Sequence, residues 1–342
     1  MSIAGIVQES WSRPVYNGTA VTRETLLTLL NIAIWAPNHH LREPWVFTWM
    51  EGLETGTEKQ KEHPAESPIL APGYLAVSMK IRTKPKELAE DEAAVWCLIQ
   101  NLRILAKEQG IGIHIQQPET AFEAGCEELW RANSGEQIVA ILGIGYTDTR
   151  LQPNENAAKI IRERRTVRQF TSATLDDETV RGLLEESLPE LGLQPKSWRV
   201  IEAGSEEERS RWADLMMGFA KDMLTYKLMP GKVKNIFWKR TYDIPFNLVF
   251  VLKHQPEQPG EPKGSAHFGE VCSVMHIIQL LAWEKGIGMT WSSSDVIEDM
   301  AFRKGLDIKP DERIIGILHM GYTAKIPKGK ERTPAENKIR WV

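Results

Sequence analysis

Cysteine is scarce in this chain of 342 residues, which contains three, and no two of them form a Cys-x-x-Cys pair. Paired cysteines of that kind hold structural zinc or form redox-active disulfides, so neither type of centre is indicated. Cys97, Cys126 and Cys272 lie in apolar or helical patterns. They are therefore predicted to be buried free thiols in a reducing compartment.

Long apolar runs and an excess of positive charge are also missing. The longest apolar runs, near Ile138–Tyr146 and Phe246–Leu252, are too short to cross a bilayer. Lys and Arg number 42 against 46 Asp and Glu, so the net charge of −4 gives no general attraction for nucleic acid or anionic membrane. The first residues show no basic stretch followed by an apolar one. The protein is therefore predicted to be cytoplasmic, with neither nucleic acid nor membrane as a partner.

What the sequence does contain is one segment twice. Ala106–Gly112 matches Ala282–Gly288, and Ile138–Thr147 matches Ile314–Thr323. Both matches have an offset of 176 (286 − 110 and 321 − 145). A repeat this long indicates two domain halves and not a solenoid of short units. One chain is thus expected to build what other chains build as a dimer.

Each half, predicted at residues 1–152 and 153–342, shows the same alternation of helices and strands, which indicates a layered α+β fold. The predicted elements are, in the first half, helix Val21–Trp35, strands Trp45–Trp49 and Gly73–Ile81, helix Glu87–Glu108 and strand Ile138–Gly145; in the second half, helix Asp176–Leu188, strands Trp198–Ile201 and Phe246–Leu252, helix Ser265–Lys285 and strand Ile314–Met320. The second half has 23 more residues (176 − 153), which are predicted to lie within Glu202–Asp243.

Guanidinium groups are concentrated in Arg162–Phe170 (RERRTVRQF), just before a predicted helix. Several arginines and a hydroxyl in one short segment can supply forked hydrogen-bond donors to a phosphate. A solvated basic face explains the same pattern, and both interpretations stay open on the residues alone. Nucleic acid is disfavoured, because acidic residues follow at 176–178 and the whole chain is acidic.

A polar loop, Ala36–Trp45 (APNHHLREPW), joins a predicted helix to a strand and is braced by two prolines. Loops held on a rigid scaffold often carry function. Adjacent His39 and His40 suggest a metal, but neighbours in sequence rarely face one ion, and no Cys or carboxylate stands at ligand spacing. No metal site is predicted.

Two Gly-x-Gly segments, Gly110/Gly112 and Gly286/Gly288, follow the long predicted helices. Neither is a dinucleotide-binding fingerprint, because the third glycine is absent and each segment follows a helix instead of opening one. We expect each to cap a helix and turn the chain into the next element.

Taken in order, RRTVRQF before a helix, APNHH and EPW after one, a long helix ending in GIG and a closing strand ending in GY resemble the FMN-dependent nitroreductase family. The resemblance covers nearly the whole chain, twice. It implies a nitroreductase-like three-layer α/β/α sandwich in each half. Family members are usually homodimers that hold FMN at the subunit interface. Two fused copies would then form an intrachain pseudo-dimer, and the protein would act as a monomer.

The resemblance also implies which residues hold FMN. The basic segment would bind the phosphate together with a basic pair after the last strand, the turn after the second long helix would offer backbone N–H groups near the flavin N5 edge, and the Ala-Pro loop would face the ring. In that order, the implied cofactor-binding residues are Arg164, Arg165, Thr166 and Arg168; Lys330 and Arg332; Ser293 and Ser294; and Pro37, Asn38 and His39. No catalytic acid or base is implied.

The two copies differ in what they keep. In the first copy the counterpart of the basic segment is Ser12–Asn17, which lacks most of the cations. In the second copy the counterpart of the polar loop is Pro189–Trp198, which lacks most of the polar groups. Because the family draws these parts from opposite subunits, the resemblance implies one complete FMN site per chain. Simple drift of both copies would instead scatter the losses over two sites.

The function implied is an FMN oxidoreductase that transfers hydride from NAD(P)H through FMN to an electron-poor small molecule such as a nitroaromatic, quinone or enone. One alternative is a specialised flavin oxidase or dehalogenase of the same superfamily. Another is a flavin-binding pseudoenzyme or interaction module without reductase activity.

Overall fold

A computed structural model describes residues 3–52, 71–116, 133–148, 156–188, 197–221, 227–253 and 265–342. The chain divides into two compact units. Unit 1 consists of Met1–Glu163 together with Lys330–Val342, and unit 2 is Arg164–Gly329. The last residues of the chain therefore belong with the first half.

The described part of unit 1 contains one mixed sheet with the strand order β3-β4-β2-β1-β9. Strand β9 runs parallel to β1, and the other pairs are antiparallel. The helices are α1 (Ile3–Ser10), α2 (Arg23–Ala33), α3 (Pro85–Glu108) and α4 (Asn156–Glu163); the strands are β1 (Trp45–Glu51), β2 (Gly73–Lys80), β3 (Ile111–Gln116), β4 (Glu136–Tyr146) and β9 (Ile339–Trp341).

Local sequence explains where helix α2 of unit 1 begins and which face of β1 is buried. Thr22 caps α2, and its hydroxyl accepts a hydrogen bond from Thr25 N at 3.2 Å. In β1, every second side chain points to the same face. Trp45, Phe47 and Trp49 on that face are each at most 1% exposed. The aromatic run thus supplies a large part of the core on which the helices pack.

The described part of unit 2 contains an antiparallel sheet with the order β5-β6-β8-β7. Its first helix is capped by Asp176, whose Oδ1 accepts from Thr179 N at 2.7 Å. The helices are α5 (Asp177–Ser187), α6 (Glu206–Lys221), α7 (Gly231–Tyr242), α8 (Ser265–Glu284) and α9 (Met300–Gly305); the strands are β5 (Trp198–Ala203), β6 (Phe246–Lys253), β7 (Ile287–Ser292) and β8 (Glu312–Tyr322).

The two sheets share their strand order and their register. Ile111 pairs with Tyr146 in unit 1, and Ile287 pairs with Tyr322 in unit 2, both at an offset of 176 (287 − 111 and 322 − 146). Each sheet also has a register shift on its second strand, after Val77 in unit 1 and after Phe250 in unit 2. A bulge at matching positions is a feature that chance similarity rarely reproduces.

The register shows where the second half is longer. Trp45 pairs with Met79, and Trp198 pairs with Leu252, so the offset is 153 on the first strands but 173 on the second (198 − 45 and 252 − 79). Twenty extra residues (173 − 153) therefore lie between β5 and β6, where α6 and α7 are found. The other three (176 − 173) follow β6. Placing all 23 within Glu202–Asp243 was wrong, because the sequence offers no aligned anchor on the second strands.

The ten predicted helices and strands are all present, with ends that differ by a few residues. Cys126 lies outside the described residues. Helices α6 and α7 lie within Glu202–Asp243, which is helical in pattern. Six other elements were missed, because they are short or directly follow a turn: α1, α4, α9, β3, β7 and β9. Helices α1 and α4 begin at an offset of 153 (156 − 3), which is also the offset of the first strands of the two sheets.

The C-terminal strand completes the sheet of unit 1. Phe47 N donates to Lys338 O, and Val342 N donates to Trp49 O, each at 2.9 Å. In the described part of the chain, no helix is both long and apolar enough to cross a membrane.

Candidate functional site

The basic segment of unit 2 is fixed through its backbone. Thr166 forms a parallel bridge with Met289 of β7, and Val167 N donates to Met289 O at 2.9 Å. Further along, Ala324 N donates to Gln169 O at 3.0 Å. These bonds hold the segment along β7 and the end of β8, so the directions of its side chains are set by strand geometry.

Side-chain exposure divides the predicted phosphate-binding residues. Val167 is buried against Gly288, where an added Cβ would lie 2.6 Å from Val167 Cγ2. Arg164 is also buried, with 6% exposure, whereas Arg168 is exposed. Arg165 Nη1 donates to Arg164 O at 3.0 Å. The segment thus has one guanidinium group buried in the protein, that of Arg164, and one at the surface, that of Arg168.

The predicted serines lie at the end of β7 and not in the turn after α8. That turn contains Gly286, whose φ is 74°, and the six residues of β7 separate it from Ser293. Six extended residues span roughly 20 Å, so the expectation of a turn position was wrong. Because Thr166 pairs with Met289, the basic segment nevertheless lies alongside β7, the strand that the two serines follow. Ser294 Oγ is buried and has no hydrogen-bond partner among the described residues.

The polar loop of unit 1 has a strained backbone. His40, Leu41 and Glu43 have φ values of 51°, 56° and 43°, in the left-handed region that non-glycine residues seldom adopt. Asn38 bridges the loop: its Oδ1 accepts from Glu43 N at 3.1 Å and its Nδ2 donates to Ala36 O at 3.2 Å. Strain of this kind persists only where surrounding contacts enforce it, and it clusters at functional sites.

A buried ion-pair network supplies that enforcement. Arg42 Nε donates to Asp91 Oδ1 at 2.6 Å, and Arg42 Nη2 donates to Glu90 Oε2 at 2.9 Å. Arg82 Nε donates to the other oxygen of Asp91 at 2.7 Å. Asp91 is 1% exposed. Asp91 is not among the residues predicted from the sequence. The available signal was an acidic residue just before the apolar run of the long helix.

The C-terminal segment lies beside the same loop. Thr333 N donates to the carboxylate of Glu43 at 3.2 Å, and Lys338 Nζ lies 3.6 Å from Glu43 Oε2. The guanidinium of Arg332 stacks over the Trp35 ring at 5.2 Å. Lys330 lies on the same segment of unit 1. The predicted site residues therefore form two groups, one in each unit.

Among the residues predicted to face the ring, His39 is the most exposed. Its imidazole packs edge-on against His40, with centroids 4.1 Å apart, and lies 3.9 Å from Glu90. Burial, partly opposed by Glu90, lowers the pKa of His39, so the ring is neutral at neutral pH. In the described part of the molecule, no group of three His, Cys, Asp or Glu side chains is arranged to hold a metal ion.

Unit 1 has a different surface at the positions of the basic segment. Pro14 packs on Gly112 as Val167 packs on Gly288, which pairs the two segments at an offset of 153 (167 − 14). By that offset Arg164 corresponds to Trp11, and Arg168 corresponds to Val15, which is 84% exposed.

A family model matches residues 161–322, which covers nearly all of unit 2. The matching family is the nitroreductase family. A relative from Bacillus subtilis strain 168, named "Putative NAD(P)H nitroreductase YfhC", is 29% identical over 186 residues, which is 53% of this chain and 91% of the relative. One nitroreductase-length protein therefore corresponds to about half of this chain.

Solved structures of nitroreductase-like proteins are also similar. A nitroreductase-like family protein from Bacillus cereus is 27% identical, with a TM-score of 0.48, over 56% of this chain and 98% of that chain. An FMN-dependent nitroreductase from Clostridium difficile R20291 is 17% identical, with a TM-score of 0.36, over 50% of this chain and 90% of that chain.

Proposed function

We propose that this protein is an FMN-dependent oxidoreductase of the nitroreductase type, which uses NAD(P)H to reduce an electron-poor small molecule. The observation that carries the proposal is the arginine-rich segment Arg164–Arg168, which backbone bonds fix along β7 within the region matched by the nitroreductase family. The name of the Bacillus subtilis relative supports NAD(P)H as the co-substrate.

The donors of unit 2 fit the phosphate-bearing end of FMN. Arginine forks and a threonine hydroxyl match the oxygens of a phosphate monoester. Ser294 Oγ is a buried hydroxyl without a partner among the described residues, and such groups are normally satisfied in the functional state. We assign phosphate binding to Arg164, Arg165, Thr166 and Arg168, and a contact to the flavin to Ser293 and Ser294.

The groups of unit 1 are proposed to complete the same single site. Its strained loop, with Pro37, Asn38 and His39, would face the flavin ring, and Lys330 and Arg332 would add positive charge. Support comes from the shared strand order and register of the two sheets, which favour two fused copies of one ancestral fold. Further support is that unit 1 lacks the arginines of the phosphate segment.

In this proposal the residues of the chain bind and orient FMN. Bound FMN supplies hydride acceptance and donation. Fixed arginines and backbone N–H groups stabilise negative charge without reorganising during the reaction. The rigid loop of unit 1, held by Asp91, would limit the shape of acceptors that reach the ring.

The test is a spectrum of the purified full-length protein, with and without added FMN. We expect an absorbance band near about 450 nm that is bleached by NADPH or NADH and restored by a nitroaromatic or quinone. Yellow protein that neither nucleotide bleaches would favour the flavin-binding module. A protein that takes up no FMN would refute the proposal.

Two matched variants locate the phosphate. Arg168→Gln should weaken FMN binding about 10- to 100-fold, because a charge-assisted hydrogen bond contributes about 1.5–3 kcal/mol. Arg13→Gln, at the neighbouring position of the unit 1 segment, should leave the dissociation constant unchanged. Stoichiometry is read from the same titrations, and two FMN per chain would contradict the single site.

A further inference from the structure

Glu43 lies between the polar loop and the C-terminal segment of unit 1. Its side chain is 8% exposed, and a carboxylate is seldom buried to this degree unless it is paired. Its φ of 43° also makes it one of the strained residues of the loop. A carboxylate at such a position requires contacts that offset both the desolvation and the strain.

On one side, these contacts lead into the loop. Glu43 N donates to Asn38 Oδ1 at 3.1 Å, and Asn38 Nδ2 donates to Ala36 O at 3.2 Å. Asn38 is one of the residues proposed to face the flavin ring. The backbone of Glu43 is therefore fixed to the ring-facing part of the loop through a single side chain.

On the other side, the contacts lead to the C-terminal segment. Thr333 N donates to the carboxylate of Glu43 and lies 3.2 Å from each of its two oxygens. Lys338 Nζ lies 3.6 Å from Glu43 Oε2 and donates to Glu43 O. The backbone N–H, the backbone carbonyl and the carboxylate of Glu43 thus each have a partner.

The C-terminal segment also contacts the start of the loop. The guanidinium of Arg332 lies 5.2 Å from the centre of the Trp35 ring, just before Ala36. Arg332 Nη1 donates to Lys330 O at 2.9 Å. The two cations proposed to join the FMN site therefore lie directly before Thr333, the residue whose backbone is bonded to Glu43.

The second half of the sequence has the opposite charge at this position. At the offset of the first strands, Glu43 corresponds to Lys196 (196 − 43 = 153). A lysine side chain has no acceptor for a backbone N–H. The carboxylate thus occurs in the unit to which the C-terminal segment belongs.

We propose that Glu43 is a positioning residue for FMN: it links the ring-facing loop to the C-terminal segment and holds Arg332 where it can reach the cofactor. This inference rests on the proposed function, because it assigns a determinant of affinity to the same site. Arg332 then contributes to FMN affinity only while Glu43 holds Thr333.

The experiment is a double-mutant cycle on the full-length protein. FMN dissociation constants are measured by the change in flavin fluorescence for the wild type, Glu43→Gln, Arg332→Gln and the double variant. Glutamine keeps the size of Glu43 but removes the charge that faces Lys338. We expect Arg332→Gln to weaken FMN binding about tenfold in the wild type and less than about threefold in Glu43→Gln, since residues that act as a unit are not additive.

Glu136→Gln is the matched control. Glu136 Oε2 accepts from Arg340 Nη2 at 3.2 Å, so this carboxylate holds the same C-terminal segment but stands on β4 and not on the loop. Arg332→Gln should keep its full effect in Glu136→Gln. General loosening of the segment would instead reduce that effect in both backgrounds.

The sign of the single substitution is a second readout. A carboxylate that acted through its charge alone would repel the phosphate, so its removal would tighten FMN binding. A positioning residue predicts weaker binding. Tighter binding by Glu43→Gln would therefore overturn the proposal.

The remaining outcomes separate this inference from the proposed function. Additive effects of Glu43→Gln and Arg332→Gln would overturn the role of Glu43 and leave the flavin site intact, as would an Arg332→Gln variant that binds FMN like the wild type. If Glu43→Gln does not fold, as judged by circular dichroism, Lys338→Met removes the other charge of the pair, and additivity in that cycle overturns the role equally. A wild type that binds no FMN would refute the proposed function itself.

Discussion

Units 1 and 2 have the same four-stranded core order and register but use their charged side chains differently. In unit 1, Arg42, Arg82 and Asp91 form a buried network that fixes a strained loop. In unit 2, His267 stands where Asp91 does (267 − 91 = 176), and it forms only a partly exposed pair with Glu270. The two units thus share strand order and register, whereas their charged side chains make different contacts.

The two sheets differ in the same way in their interiors. Gly143 of unit 1 accepts a hydrogen bond from Tyr16 at its carbonyl, at 2.7 Å. The equivalent residue of unit 2 is His319 (319 − 143 = 176), whose Nδ1 lies 2.6 Å from Asn247 Oδ1 in the core. At one position of the sheet, a backbone carbonyl is thus bonded in unit 1 and an imidazole in unit 2. Both arrangements leave the buried polar group with a partner.

The largest effect is expected at the network of unit 1. Asp91→Asn leaves two guanidinium groups without their shared carboxylate and should lower the free energy of unfolding by about 3–5 kcal/mol. His267→Asn, at the equivalent position of unit 2, should change it by less than about 0.5 kcal/mol. Denaturant titration of both variants checks the difference, and equal losses would show that the two positions do not differ in role.

The second largest effect is expected in unit 2, as a loss of stability at low pH. Burial lowers the pKa of His319 from 6.5 to about 4. Between these values the unfolded chain binds a proton that the folded chain does not, so stability falls as the pH drops below 6.5. The total loss is up to about 3 kcal/mol. Stability of His319→Gln should decline less than that of the wild type over this range, and identical slopes would contradict the assignment.

Substitutions of Gly288 and Gly112 test whether the position of the backbone segment packed on each glycine affects flavin binding in unit 2 only. An added Cβ at Gly288 would lie 2.6 Å from Val167 and 2.7 Å from Thr323, so Gly288→Ala should shift the phosphate segment. Overpacking of this kind costs about 1–3 kcal/mol. We expect Gly288→Ala to weaken FMN binding by about tenfold, and Gly112→Ala to lower thermal stability while FMN affinity is retained.

The smallest effect should be the same in both units. Gly110 and Gly286 end the long helices with φ values of 70° and 74°, as the sequence predicts for helix caps, and an added Cβ would meet nothing within 4 Å at Gly286. Each substitution by Ala should cost about 1 kcal/mol through backbone strain alone. Thermal unfolding measures both, and a large inequality would show that the two turns are not equivalent.

Local signals made most of the fold predictable. The aromatic and branched run Trp45–Trp49 indicates a strand, and Thr22 and Asp176 are capping residues before apolar periodic runs. Strands β3 and β7 were missed because each follows a helix-capping glycine directly and was included in the predicted turn. Strand β9 has three residues and pairs with a strand almost 300 positions away, so no local pattern could reveal it.

The chemistry of the candidate site gives clearer sequence signals than its geometry. The arginines of 164–168 are proposed from the sequence because their type and density are unusual. The burial of Arg164, with 6% exposure, depends on packing that no local pattern in the sequence encodes. Asn38 is predicted to face the flavin ring, yet both ends of its amide are bonded within the loop, a pairing that depends on the left-handed residues between them.

Strand β9 has a consequence for biosynthesis. The ribosome produces unit 1 first, but Ile339–Trp341, which completes the sheet of that unit, are produced only after all of unit 2. The edge of β1 therefore stays open while some 166 further residues (329 − 163) are translated. Unpaired strand edges invite wrong pairing during that interval. The half that is synthesised first is thus the half that finishes folding last.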